Sequence, residues 1–391
     1  MRAASRLVRI PSWETRLLAV VVAVLVVFGV AAVYGASSIV AVQQGEHGAA
    51  FAVRQLLGVV VGVVLLSIAA RTDYRLWQRH AWAVLGVVAL LLLVLLLPFA
   101  SPIVIEANGA RRWVGIAGVS FQPAEVAKFA VVAWTAMLAT KKAEGVRDFK
   151  RGVLPFLVVI GPIMAMVLFE PALSTTVIIG LLAGTVLFAA GARVGHFLLL
   201  GLIALPILWS EIATTQYRLQ RMVSFLSPGG DYAETSWQVQ QSLIGMGAGG
   251  LVGVGFGEGM QKLGYLPYAY SDFIFSTIGE EWGFIGAALL VLLFAIYVGL
   301  GLRIARTAPD RFGVLLATGV TAMIGVTAVL HMAVTMGIMP ATGLPLPFVS
   351  YGRSNLLVSM LATGVLINIG DQRSAVPTSL AAGGSGRTSR R

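Results

Sequence analysis

Asp272 stands among aromatic residues in the stretch QKLGYLPYAYSDFIFSTIGEEWG, Gln261 to Gly283, just where a new apolar run begins. A carboxylate at the mouth of a membrane helix is costly unless it is paired or used. An aspartate in such a place can take a proton from a hydroxyl, which is general-base chemistry. Glu280 and Glu281 follow it and read as helix N-terminal charges, favourable to the dipole, rather than as catalysts.

Four other constellations could serve the same chemistry. In NGARRWVGIAGVSFQPAEVAKF, residues 108–129, Arg111, Arg112 and Trp113 suit a membrane interface. Gln122-Pro123 reads as a helix start, and Glu125 and Lys128 lie three apart on one face of the helix that follows. That pair is either a local ion pair that makes two charges tolerable or part of a site. Glu170 precedes Pro171 in EPALSTT and reads as a solvated turn residue. The third constellation lies further on. There Arg218 and Arg221 of YRLQRM precede Gln241 and Ser242 of SWQVQQS, and GAGGLVGVGFGEG leads to Lys262. The glycine-rich run has no preceding strand and no Lys-Ser/Thr ending, which disfavours a nucleotide site. In MPATGLPLPFVSYGRSNLL, residues 339–357, prolines and glycines forbid a helix. Non-helical backbone at membrane depth is accepted where it lines a cavity, here with Ser350, Tyr351, Arg353, Ser354 and Asn355. Cations beside one carboxylate can hold a pyrophosphate while an acceptor hydroxyl is deprotonated.

The elements that must position these groups are membrane helices. Hydrophobic residues make up 58% and charged residues 12%, with mean hydropathy +0.87; soluble domains carry about a quarter charged residues. The expected fold is an all-α polytopic membrane protein with ten spans, at about 17–36, 52–70, 81–99, 122–140, 153–169, 173–191, 196–212, 279–302, 312–334 and 354–370. A cytoplasmic segment of residues 1–16 precedes them, and a disordered cytoplasmic tail of residues 371–391 follows. Most of the 28 basic residues fall in loops on the side of the N-terminus, so both termini are expected in the cytoplasm. The net charge of +11 is then a topology signal, and no nucleic acid is expected as a partner. The loop of residues 213–278, between spans seven and eight, lies on the outer side. It is too long for a plain connection and too apolar for a tether, so it should be part helix and part re-entrant. Zero cysteines exclude thiol chemistry, and four scattered histidines show no zinc-ligand spacing.

At these residues the chain resembles the family named for shape, elongation, division and sporulation, the membrane peptidoglycan polymerases of the FtsW and RodA type. NGARRW, FQPAEVAK, WQVQQS, GGLVGVG, QKLGYLP, SDFIFSTIGEEWG and GLPLPFVSYG recur in the family's order over roughly residues 17–370. IGEEWG, QKLGYLP and GLPLPFVSYG are closer to the FtsW type. The resemblance implies ten spans with a large extracytoplasmic loop after the seventh. It also implies a glycosyltransferase that polymerises lipid II in septal wall synthesis, in the bacterial inner membrane with its site on the outer face. Asp272 matches the family's essential aspartate, and Glu125 and Lys128 match its paired glutamate and lysine. On this basis the expected substrate-binding set is Lys128, Glu125, Arg111, Arg112, Trp113, Gln122, Arg218, Gln241, Ser242, Lys262, Ser350, Tyr351, Arg353 and Ser354.

The implied partners are lipid II, a class B penicillin-binding protein, other division or elongation proteins and membrane lipids. A divalent cation, Mg2+ or Mn2+, is a possible cofactor. The alternatives are a RodA-type elongation polymerase, a lipid II flippase and a non-catalytic division scaffold. The chain departs from the family at Tyr268 and Tyr270, which replace a glutamate and a histidine. It also departs at Gly264, at Ala172 in place of an aspartate, at Arg353 in place of a glycine and at His331 in place of an asparagine. Fewer carboxylates and one more cation weaken the case for a tightly held metal.

Overall fold

The computed structural model describes residues 12–97, 103–107, 110–116, 119–226 and 233–372. Most of the expected N-terminal segment and nearly all of the expected tail lie outside the described residues, as does part of the large loop at 227–232. Twelve α-helices are present among the described residues. They are α1 Trp13–Gln43, α2 Ala50–Arg71, α3 Arg75–Leu96, α4 Pro123–Lys141, α5 Leu154–Phe169, α6 Leu173–Ala189, α7 Val194–Ala213, α8 Gln216–Leu226, α9 Ala233–Gly249, α10 Ile274–Arg306, α11 Arg311–Thr335 and α12 Arg353–Gln372.

Local sequence sets several helix starts. The Ser12 hydroxyl accepts from Thr15 N–H at α1, Asp310 accepts from Gly313 N–H at α11, and Pro123 occupies the first turn of α4. Eight helical segments are long and apolar enough to cross a membrane: α1, α2, α3, α5 with the π turn before it, α7, α10, α11 and α12. The two other expected spans coincide with α4, whose first turns carry Glu125 and Lys128, and with α6, which has 17 residues.

The core runs through most of the bundle, and α4, α11 and α12 hold some of its most enclosed side chains, among them Trp134, Phe129, Phe312 and Leu366. By contrast α7 has no buried residue.

A small antiparallel sheet interrupts the helices, which the all-α expectation had missed. β1 Val104–Ala107, β2 Ala110–Ile116 and β3 Val119–Phe121 pair in that order. Ala107 pairs with Ala110, and the sequence between them is Asn-Gly, the dipeptide favoured by two-residue hairpins.

The large loop is part helix, as expected, through α8 and α9. Its glycine-rich continuation folds back on α10, which begins at Ile274 rather than near 279. Gly283 breaks α10 with φ of 65°. Across the break, Phe284 N–H and Ile285 N–H donate to the carbonyls of Gly250 and Leu251, while Val254 N–H and Gly255 N–H donate to those of Glu280 and Glu281. The backbone groups freed by the break are thus satisfied by the loop. Glu280 and Glu281 lie well inside α10 and are buried, so their assignment to a first-turn dipole is corrected. Glu280 accepts from the N–H groups of Met260 and Gln261, and Glu281 pairs with Lys262 at 2.9 Å.

Candidate active site

Asp272 sits one residue before the N-cap of α10 and faces the irregular segment between α11 and α12. A Cβ built on Gly343 would lie 3.3 Å from Asp272 Oδ2, and Gly343 has φ of +65°. Glycine is therefore needed twice there, for the backbone and for the approach.

Four successive residues of this segment each hold a different element. The Ala341 carbonyl accepts from Arg221 Nη1 of α8 at 3.0 Å. That of Thr342 accepts from Ser174 Oγ of α6 at 3.3 Å. Gly343 backs Asp272, and the Leu344 carbonyl accepts from His331 Nδ1 of α11 at 2.6 Å. Behind it, Ser350 Oγ donates to the Ser271 carbonyl at 2.6 Å and accepts from Leu346 N–H at 2.8 Å. Tyr351 N–H donates to the Tyr270 carbonyl at 3.0 Å. Gln55 of α2 holds the Ser350 carbonyl.

The tyrosines that replace the family's polar residues have defined places. Tyr270 packs edge-on against Phe51 at 4.9 Å and against Tyr351 at 5.7 Å. Tyr268 has φ of 56°, and Phe348 has φ of 66°. Non-glycine residues in this region are strained and cluster at functional sites; Tyr268 lies four residues before Asp272, and Phe348 lies in the segment between α11 and α12.

Burial pushes the Asp272 carboxyl above the ordinary aspartate range, countered first by the Ser271 hydroxyl and then by Arg221 and Arg112. The residue as a whole is half-buried. Arg112 of β2 reaches the α5–α6 turn, where Nε and Nη2 donate to the carbonyls of Glu170 and Pro171 at 2.8 and 2.6 Å. Glu170 is 1% exposed rather than solvated, which corrects the reading of it as an open turn residue.

The other expected ligands divide by position. Glu125 and Lys128 form a closed pair at 2.8 Å, both almost fully buried. Asn355 donates to the same Glu125 oxygen at 3.0 Å, and Thr327 and Ser359 line the same recess. Arg353 donates to Ser120 Oγ, and Ser354 Oγ accepts from Gln122 N–H, so both join α12 to the sheet and to the start of α4. Arg111 donates to the Leu97 carbonyl, and Trp113 pairs with Ile105 in the sheet. Arg218 is held by Glu211 at 2.7 Å, and Ser242 Oγ donates to the Thr335 carbonyl. Gln241 and Lys262 are buried, Lys262 against Glu281. Arg221 and Glu170, absent from the expected set, are the side chains this geometry adds. Their sequence signals were a pair of arginines in the large loop and a glutamate before proline.

No group of three histidines, aspartates or glutamates stands together among the described residues, and the charges acting on Asp272 are two guanidinium groups. This donor set does not fit a resident divalent cation.

Fold and site together define a polytopic membrane protein with an ionisable site at one end of its helix bundle. The chain belongs to the FtsW/RodA/SpoVE family, whose model, described as cell cycle protein, matches residues 15–375. It is 40% identical over 361 residues to a Trichlorobacter lovleyi protein named probable peptidoglycan glycosyltransferase FtsW, covering 92% of this chain and 94% of the relative. It is 36% identical to the stage V sporulation protein E of Bacillus subtilis, over 90% of this chain and 96% of that one. Among solved structures, one on the coordination of polymerization and crosslinking by a peptidoglycan synthase complex has a chain that superposes with a TM-score of 0.74 at 25% identity, over 93% of this chain and 98% of that chain. The rod shape determining protein RodA of Thermus thermophilus superposes with a TM-score of 0.69 at 25% identity, over 94% and 98%.

Proposed function

We propose that the protein is a peptidoglycan glycosyltransferase of the FtsW type that polymerises lipid II in septal wall synthesis. The relatives named FtsW support this over a RodA-type role. The observation that carries the chemistry is the Asp272 carboxylate, backed by Gly343 and acted on by Arg221 and Arg112.

In this mechanism Asp272 is the general base. It takes the proton from the sugar 4-hydroxyl of the acceptor lipid II as that oxygen bonds to the anomeric carbon of the growing strand. The bond to the undecaprenyl pyrophosphate oxygen breaks with inversion, giving a β-1,4 linkage. Arg112 and Arg221 offset the negative charge that builds on the departing pyrophosphate. Both are fixed by main-chain carbonyls, so their charges are already in place when the bond breaks. The enclosed Lys128–Glu125–Asn355 cluster supports α4 and α12 from within rather than touching the reacting atoms.

The site faces the extracytoplasmic side in this assignment, with both termini in the cytoplasm. The distribution of basic residues supports that orientation. A class B penicillin-binding protein is the partner that fits, in keeping with the synthase complex that resembles this chain. Purified protein in liposomes with labelled lipid II tests the function. Glycan strands should form with the wild type and be absent with Asp272→Ala of equal yield and melting temperature; strands made by that variant would reject the assignment.

A further inference from the structure

Glu170 is the buried acid that this mechanism leaves unused. Both of its carboxyl oxygens are enclosed with no hydrogen-bond partner. An unpartnered buried carboxyl is costly in any protein, and it is out of place in a helix turn that could have taken glutamine. The turn is nevertheless tied to the site. Arg112 grips the peptide carbonyls of Glu170 and Pro171, not the carboxyl, and Ser174 joins α6 to Thr342, beside Gly343. The Thr342 hydroxyl is likewise buried without a partner.

One guanidinium therefore acts on two acids, since Arg112 is the charge felt by Glu170 and one of the two felt by Asp272. Arg112 is also the charged group that faces Glu170 from β2. Ser174 of α6 and Thr342 of the segment before α12 lie near the same turn, and neither titrates.

We propose that Glu170 is a positioning residue for polymerisation: as a neutral acid it leaves the Arg112 charge to Asp272 and the pyrophosphate of the substrate, and on ionising it draws that charge to itself. The inference rests on the polymerase reading. Burial pushes the Glu170 carboxyl up to about 8, against the pull of Arg112, so the exchange falls just above neutrality. The acid is neutral below that point and becomes charged as pH rises through it.

The test is the pH profile of lipid II polymerisation by the full chain in liposomes, from about pH 6 to about pH 10. For the wild type, kcat/KM should fall about tenfold per pH unit above the midpoint, because that parameter reports groups of the free enzyme. The loss should appear in kcat, since the Arg112 charge is withdrawn from the negative charge that builds on the departing pyrophosphate. Glu170→Gln cannot ionise and should lack this alkaline fall. An equal fall in Glu170→Gln, or no fall in the wild type, overturns the proposal. If Glu170→Gln is not recovered as folded protein, Glu170→Asp should retain the fall with a displaced midpoint, and an unmoved midpoint overturns the proposal. Glycan synthesis that survives Asp272→Ala at every pH would overturn the polymerase mechanism as well, which separates the two failures.

Discussion

Gly343 and Asp272 meet so closely that a methyl group on the glycine would stand 3.3 Å from the carboxylate oxygen. The contact joins the segment between α11 and α12 to the start of α10, two parts of the chain about 70 residues apart in sequence. Gly343→Ala should therefore act on the site twice. The positive φ should cost on the order of 1 kcal/mol of stability, and the added carbon should push Asp272 off its mark. At 3.3 Å the carboxylate must give by only a few tenths of an ångström, less than the misplacement of about 1 Å that costs roughly a hundredfold in rate. Thermal melting and lipid II polymerisation on the same preparation check this, with a small shift in melting and a partial loss of turnover expected.

Asp272 sets the acid side of the pH profile. A general base works only when ionised, and burial raises this carboxyl from 3.8. The ionised form is therefore lost, as pH falls, at a higher pH than for an ordinary aspartate. Polymerisation measured downward from neutrality should show its acid limb above 3.8 and lose about tenfold in kcat/KM per unit below the midpoint. A limb at or below 3.8 would contradict the burial argument.

Ser350 holds two strands of the site together through one hydroxyl. Ser350→Ala removes the donor to the Ser271 carbonyl and leaves the Leu346 N–H without its acceptor. An unsatisfied buried group costs about 1–3 kcal/mol, so the variant should melt earlier and polymerise more slowly. Ser350→Thr, which keeps the hydroxyl, should recover most of both.

Lys128 and Glu125 give a prediction in stability. Each is nearly sealed from solvent and their ion pair is 2.8 Å long. Removing one partner strands a buried charge, at a cost of about 3–5 kcal/mol. Lys128→Met and Glu125→Leu should each destabilise strongly, while the double variant should regain much of the loss. A double-mutant cycle by melting in detergent measures the coupling; near-additive losses would show that the pair is not a unit.

The sequence was most legible where hydrophobicity and punctuation coincide. The helices of the bundle follow from apolar runs, and the non-helical segment before α12 follows from Pro340, Pro345 and Pro347. Asp272 was legible because a carboxylate between aromatics has no bland explanation. Glu170 was not, because a glutamate before proline looks alike whether a turn is solvated or capped by Arg112 from a distant strand. Lys262 was misplaced for the converse reason. Its partner Glu281 is 19 residues away, and only the fold-back of the glycine-rich loop brings them together. The sheet was missed because the strands are 4, 7 and 3 residues long, too short for alternation to register against apolar surroundings.

The break in α10 at Gly283 has a mechanical consequence. Residues 250–255 share backbone hydrogen bonds with both sides of the break, which pins the end of the large loop to α10. Gly249 and Gly253 have no room for even a methyl group against α10, so the two cannot slide past each other. The glycine-rich run is thus a clamp on the same helix that begins beside Asp272.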